Sequence, residues 1–297
     1  MAQWTPVGLF PPLVTPFDDA GAIDLDALRR NLQGYAAAPL GGYVVLGTNG
    51  EFAHLTRAEK EAVIEAVVGE AGDRPVLAQV GEGSLRGTLD LARRAADLGA
   101  SAILAVTPHY YRTQMTDQAL IDFYRALADA SPLPVLLYNI PQNTGVNVSP
   151  AVVSACAQHP RIIGIKDSSG NLGQIAEFIE RTPAGWGVCN GSSSLAVAAC
   201  LAGAPGAVLG ASNVLPFETC DLFALCRDGR WADATALEAR LRPVVRALSR
   251  LGVAGVKLGM DMVGFRGGLP RAPLSPVEAS QREGLADALR AAGLIRF

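Results

Sequence analysis

Lysine is almost missing from this chain: 297 residues hold three, Lys60, Lys166 and Lys257, and arginine supplies the rest of the positive charge. Histidine is as scarce. His54, His109 and His159 stand far apart with no paired ligand spacing, which argues against a catalytic metal site. The five cysteines, Cys156, Cys189, Cys200, Cys220 and Cys226, form an odd set without a Cys-x-x-Cys pair. Neither a disulfide scaffold nor a zinc ribbon is expected from them, and buried free thiols are. A basic excess is missing too. The formal net charge is -3, so no footprint for nucleic acid or an anionic membrane is present. No apolar run reaches spanning length without a glycine, a proline or a charge, and residues 1–6 lack the basic start of a signal peptide. A cytoplasmic protein is expected.

What is present is a composition rich in Ala, Leu, Val and Gly with scattered charges, the signature of a globular protein with a large core. Short apolar runs at 7–13, 43–46, 76–80, 102–106, 135–138, 162–166, 187–189 and 207–209 alternate with amphipathic stretches. The latter read as helices at 24–38, 57–68, 84–98, 117–130, 150–157, 172–181, 194–201 and 217–227. The runs are apolar on both faces, as buried parallel strands are. Eight βα units in a row predict a closed (β/α)8 barrel of the TIM type. Asp24 and Thr56 are N-cap residue types, and Glu59 follows Thr56 at capping-box spacing. Gly99, Gly203 and Gly206 fall where helices end. Beyond Asp228-Gly229 the strand signal stops, and 231–251, 253–263 and 275–292 read as helix. The expected division is a barrel over 1–228 and a C-terminal helical segment over 229–297.

Lys166 ends the run Ile162-Ile163-Gly164-Ile165. Desolvating an ammonium is costly unless it is paired, and the same desolvation favours the neutral amine that attacks carbonyls. Lys166 is therefore the first candidate for a Schiff-base lysine. In a parallel barrel the C-terminal strand ends gather at one mouth. Gly47-Thr48-Asn49-Gly50-Glu51, Tyr138-Asn139 and Lys166-Asp167-Ser168-Ser169-Gly170 all lie at such ends. Residues 162, 164 and 166 are expected on one side of their strand, with Gly164 leaving space for the lysine. Plainer roles compete at each position. Lys166 can turn outward to Asp167, Tyr138 can be a core aromatic, Gly47–Gly50 can be an ordinary turn, and Glu51 can cap a helix instead of acting as a base. Tyr110-Tyr111 can simply pack at an interface.

These three segments resemble the dihydrodipicolinate synthase/N-acetylneuraminate lyase family over almost the full length and in the same order. The resemblance implies a TIM barrel with a helical tail, commonly a homotetramer, that needs no metal or organic cofactor and acts on a small 2-oxo acid. It implies that Lys166 forms the Schiff base and that Tyr138 shuttles protons beside it. Thr48 and Asn49 would hold the carboxylate of the oxo acid, and Tyr110 would be contributed across a subunit interface, completing a relay with Thr48. Ser168, Gly191 and Val208 would line the pocket.

Synthases that condense pyruvate with aspartate semialdehyde usually carry an arginine where this chain has Asn143, and amide for guanidinium is not a conservative exchange. Asn49-Gly50-Glu51-Phe52, Tyr110-Tyr111-Arg112, Asn143-Thr144-Gly145 and Gly267-Gly268 with Arg271-Ala272-Pro273-Leu274 look most like 4-hydroxy-2-oxoglutarate aldolase. The expected reaction is cleavage of that acid to pyruvate and glyoxylate, with Arg112 and Ser192 as candidates for its distal carboxylate. The alternatives are a dihydrodipicolinate synthase-type condensation, another 2-oxo-acid aldolase such as one for 2-keto-3-deoxy sugar acids, a dehydratase, and a non-enzymatic oxo-acid-binding paralogue. Product formation from pyruvate and an aldehyde, release of water without carbon splitting, and binding without turnover respectively identify the synthase, the dehydratase and the paralogue.

Overall fold

The first four strands are β1 (Gly8–Leu9), β2 (Tyr43–Val45), β3 (Val76–Gln79) and β4 (Ala102–Val106). They are followed by β5 (Val135–Asn139), β6 (Ile162–Asp167), β7 (Gly187–Asn190) and β8 (Gly206–Ala207). In the computed structural model, which describes residues 5–295, they form one parallel sheet in the order β1-β8-β7-β6-β5-β4-β3-β2. The sheet closes where the chain beyond β1 meets β2. Pro12 bridges Val44, Leu13 N–H donates to Val44 O at 2.8 Å, and Val44 N–H donates to Pro11 O at 3.0 Å. The expected (β/α)8 barrel is the fold. Its first strand is shorter than 7–13 because Pro11 and Pro12 bring no N–H to the ladder.

The helices are α1 (Leu25–Tyr35), α2 (Arg57–Glu70), α3 (Leu85–Asp97), α4 (Asp117–Ala130), α5 (Pro141–Thr144) and α6 (Pro150–Cys156). Then come α7 (Leu172–Glu180), α8 (Ala196–Leu201), α9 (Pro216–Arg227), α10 (Trp231–Val263) and α11 (Ala279–Ala291). Thr56 and Glu59 form the full capping box on α2, and the Asp24 side chain caps α1 through Ala27 N–H. Gly99 and Gly203 adopt φ of +92° and +97° beyond α3 and α8, as expected. Gly206 does not end a helix. It opens β8, where a Cβ would come 2.7 Å from Pro6 O. The short α5 was not expected from periodicity; Pro141 starts it and Gly145, at φ 67°, ends it.

Two apolar layers hold the barrel. Phe10, Val44, Leu77, Leu104, Leu136 and Ile163 fill its interior, while a larger cluster joins the outer strand faces to the helices. Strand β6 departs from simple alternation. Val135 pairs with Ile162 but Leu136 pairs with Gly164, so Ile163 is the extra residue of a β-bulge. Ile162 therefore belongs to the outer layer and Ile163 to the interior, which corrects the expectation that 162, 164 and 166 share a side. The bulge restores Lys166 to the inner face beside Tyr138. Gly164 does not leave a space: a Cβ there would collide with Gly187 O, so the two strand backbones occupy it.

α10 runs along the barrel mouth and breaks at Gly252, whose φ of 63° and ψ of -145° separate the two expected helices. No helix among the described residues is long and apolar enough to cross a membrane.

Candidate active site

All three lysines are buried, at 8%, 3% and 0% exposure for Lys60, Lys166 and Lys257, so burial alone does not single out Lys166. Partnership does. Lys60 Nζ lies 2.6 Å from Glu82 Oε1 and Lys257 Nζ 2.5 Å from Glu51 Oε1, whereas Lys166 makes no ion pair among the described residues. It does not turn to Asp167. That carboxylate faces the other way and accepts from Asn139 Nδ2 at 2.6 Å, Ser169 Oγ at 2.5 Å and Gln174 Nε2 at 3.2 Å. Burial pushes Asp167 above the usual carboxylate range, and these hydrogen bonds oppose the push.

Lys166 stands opposite Tyr138 on β5 and Cys189 on β7. Its Nζ is 4.0 Å from the centre of the Tyr138 ring, and the Tyr138 hydroxyl is 3.0 Å from Thr48 Oγ1. Tyr138 is thus more than core packing, because its polar end joins a chain of exchangeable protons. Burial drives the Cys189 thiol up to about 12, against a smaller pull from Lys166, so it stays protonated near neutral pH and is no competing nucleophile.

The Gly47–Gly50 turn after β2 is unusual. Leu46 before it and Glu51 after it have φ of 60° and 54°, the two non-glycine residues with positive φ among those described. Left-handed backbone at such residues costs on the order of 1–3 kcal/mol each and persists where surroundings impose it. The turn is closed by Gly50 N–H to Gly47 O at 3.0 Å and by Thr15 Oγ1 to Gly50 O at 2.8 Å. The N–H groups of Thr48 and Asn49 donate to no acceptor among the described residues, which leaves two adjacent donors at the mouth for an anion. Glu51 neither caps α2, which Thr56 does, nor lines the cavity; it pairs with Lys257 and accepts from Arg271 N–H at 2.9 Å.

These groups open on a cavity of about 530 Å³. Thr48, Asn49, Tyr138, Asn143, Lys166, Ser168, Gly191 and Val208 all line it, so eight of the nine site residues expected from the sequence come together. Gly191 is tied in by its N–H to Asp167 O at 2.7 Å, and a Cβ on it would strike Ser168 Oγ. The ninth, Tyr110, does not line the cavity of its own chain. It is 85% exposed and stacks edge-on against Tyr111. Ser192 lines the wall, but Arg112 does not: it lies on an exposed turn against Gly145. Among the described residues Lys166 is the one charged residue of the lining, and the remaining polar groups are hydroxyls and amides. Sequence reasoning missed the contribution of α10, whose Leu248, Ser249, Gly252 and Val253 form one wall. A helix so far along the chain carries no local sign of facing the mouth.

A sequence model of the dihydrodipicolinate synthetase family matches residues 5–292. The chain belongs to this family. It is 36% identical to the 4-hydroxy-tetrahydrodipicolinate synthase of Methanothrix thermoacetophila over 284 residues, 95% of each chain. It is 34% identical to the synthase of the same name from Haloarcula marismortui, covering 95% of this chain and 92% of that one. A solved structure of the chloride-inhibited dihydrodipicolinate synthase of Acinetobacter baumannii, complexed with pyruvate, superposes with a TM-score of 0.94 at 30% identity, over 98% of this chain and all of that one. With the dihydrodipicolinate synthetase family comes the enzyme class, a pyruvate-dependent Schiff-base lyase of the class I aldolase type. The relatives carry the synthase name, not that of 4-hydroxy-2-oxoglutarate aldolase, which moves the weight from the expected cleavage to the alternative condensation.

Proposed function

We propose that this enzyme forms the enamine of pyruvate on Lys166 and joins it to a small aldehyde, the reaction type of the synthases it resembles. The observation that carries the reading is Lys166 against Tyr138, whose hydroxyl reaches Thr48, with no ion pair to Lys166 and no other charge in the cavity lining among the described residues. Lys166 Nζ, as the free amine, adds to the C2 ketone, and a proton from Tyr138 lets the carbinolamine hydroxyl leave as water, giving an iminium. The Tyr138 phenolate then takes a C3 proton, giving the enamine, whose C3 attacks the aldehyde carbon and forms the new C–C bond. Tyr138 protonates the resulting alkoxide and is reprotonated through Thr48. Hydrolysis of the imine releases a 4-hydroxy-2-oxo acid and restores the amine. The Thr48 and Asn49 amides hold the substrate carboxylate and fix the orientation of the reacting carbons. Tyr110 takes the solvent end of the relay in the site of a neighbouring copy, and Ser168, Asn143, Gly191 and Val208 shape the acceptor end.

The reverse reaction, cleavage of 4-hydroxy-2-oxoglutarate to pyruvate and glyoxylate, uses the same residues. One observation favours it: Asn143 lines the cavity where an aspartate semialdehyde synthase would usually present arginine. Two measurements test these readings together. Borohydride reduction with pyruvate, followed by peptide mapping, should place the adduct on Lys166; an adduct on Lys60 or Lys257 alone, or none, would sink the Schiff-base assignment. Condensation of pyruvate with aspartate semialdehyde should then be compared with pyruvate release from 4-hydroxy-2-oxoglutarate and from 2-keto-3-deoxygluconate. Faster cleavage of either acid than condensation would replace the synthase reading with the corresponding aldolase.

A further inference from the structure

Glu51 and Lys257 form a fully buried ion pair that the chemistry above does not use. The pair joins the loop after β2 to the C-terminal helical segment. Glu51 closes the loop that presents the Thr48 and Asn49 amides, and Lys257 belongs to the part of α10 beyond the Gly252 break. Lys257 Nζ also donates to Leu269 O at 3.0 Å and rests 4.2 Å from the Phe17 ring centre. The second Glu51 oxygen accepts from Arg271 N–H at 2.9 Å and lies 3.3 Å from His54 Nδ1. The C-terminal segment around them is fixed in turn: Asn31 exchanges two hydrogen bonds with the Arg266 backbone, at 2.7 and 2.8 Å.

A buried charge is tolerated where its partner is held, and a left-handed non-glycine residue where its surroundings impose the conformation. Glu51 is both, so one contact serves both demands. We propose that Glu51 and Lys257 are positioning residues for the oxo-acid carboxylate. Their ion pair keeps Glu51 in its left-handed conformation and thereby holds the Thr48 and Asn49 amides convergent, so the C-terminal segment sets substrate affinity without touching substrate. The affinity part rests on the reading of that loop as the carboxylate cradle.

The test uses Glu51→Gln, Lys257→Met and the double variant. Three quantities are read: the pyruvate concentration that half-saturates borohydride trapping, amide hydrogen exchange of the 44–56 segment, and Tm. Each single variant should raise the half-saturating concentration about tenfold or more, the equivalent of one weakened charge-assisted hydrogen bond. Trapping should still go to completion at saturating pyruvate, and exchange in the loop should quicken while β5 and β6 stay protected. Replacing both partners removes the stranded charge, so the double variant should recover Tm yet keep the weak affinity and fast exchange. A fall in Tm with affinity and loop exchange unmoved would overturn the proposal, as would wild-type affinity in the double variant. Failure of the wild type to trap pyruvate would overturn the cradle reading and the affinity part with it; loop exchange then decides the positioning part alone.

Discussion

Tyr138 and Lys166 occupy one register position on adjacent strands, so their contributions can be separated by chemistry. Tyr138→Phe keeps the ring under the amine and removes the hydroxyl that meets Thr48. It should slow turnover by about 10²–10⁴-fold, the usual worth of a positioned acid–base group, while pyruvate is still trapped on Lys166. Steady-state rates beside adduct mass would check this, and unchanged turnover would remove Tyr138 from proton transfer. At this scale the sequence was informative where residue type alone limits the options. A lysine closing an apolar run and a tyrosine closing its neighbour have few structural uses. It was silent where conformation decides. Nothing in Leu46 announces a left-handed backbone, since leucine almost never adopts one. The burial of Lys60 and Lys257 was equally hidden, because their partners Glu82 and Glu51 lie 22 and 206 positions away.

Among the elements, the strands were legible as short runs apolar on both faces, and the helices by period, because every βα unit repeats one solution to burial. The same uniformity hid the bulge in β6. Ile162, Ile163 and Ile165 suit either side of the strand, so only pairing with β5 reveals which of them is extra. The C-terminal tail depends on ionic contacts with the barrel helices, and one of these titrates. Hydrogen bonds from Arg271, more than its charge alone, lower Glu59 on α2 from its usual 4.5 to about 2, against the opposing effect of burial. A folded value below the unfolded one means that this stabilisation is complete above about pH 4.5 and is lost as the pH falls toward 2. Glu59→Gln retains the capping box but not the charge. The variant should be about 1 kcal/mol less stable near neutral pH, a solvent-screened value, and the gap should close in acid. Thermal unfolding across that range measures it, and a gap independent of pH would show that the charge contributes nothing.

For the whole molecule, Tyr110 and Tyr111 set a pair of rings on the surface at 85% and 66% exposure, beside the mouth but outside the cavity. Such exposed aromatic patches mark association sites. We expect a homotetramer in which Tyr110 completes the proton relay of an adjacent copy. Light scattering should give about four times the 30.9 kDa chain mass, and Tyr110→Ala should lower turnover without weakening pyruvate trapping. A fully active monomer would refute this.

The bond between Arg271 and Glu51 spans 220 positions of sequence, and it bears on the moment of synthesis. A chain leaving the ribosome has completed all eight strands by Ala207, fifty residues before Lys257 exists. Domains assemble from the N-terminus as they are made. For that interval Glu51 has neither Lys257 nor Arg271 to meet it. The nascent barrel therefore carries Glu51 with only the neighbouring His54 beside it, in a loop framed by two left-handed residues, and the mouth acquires its final shape only after Lys257 and Arg271 have been added.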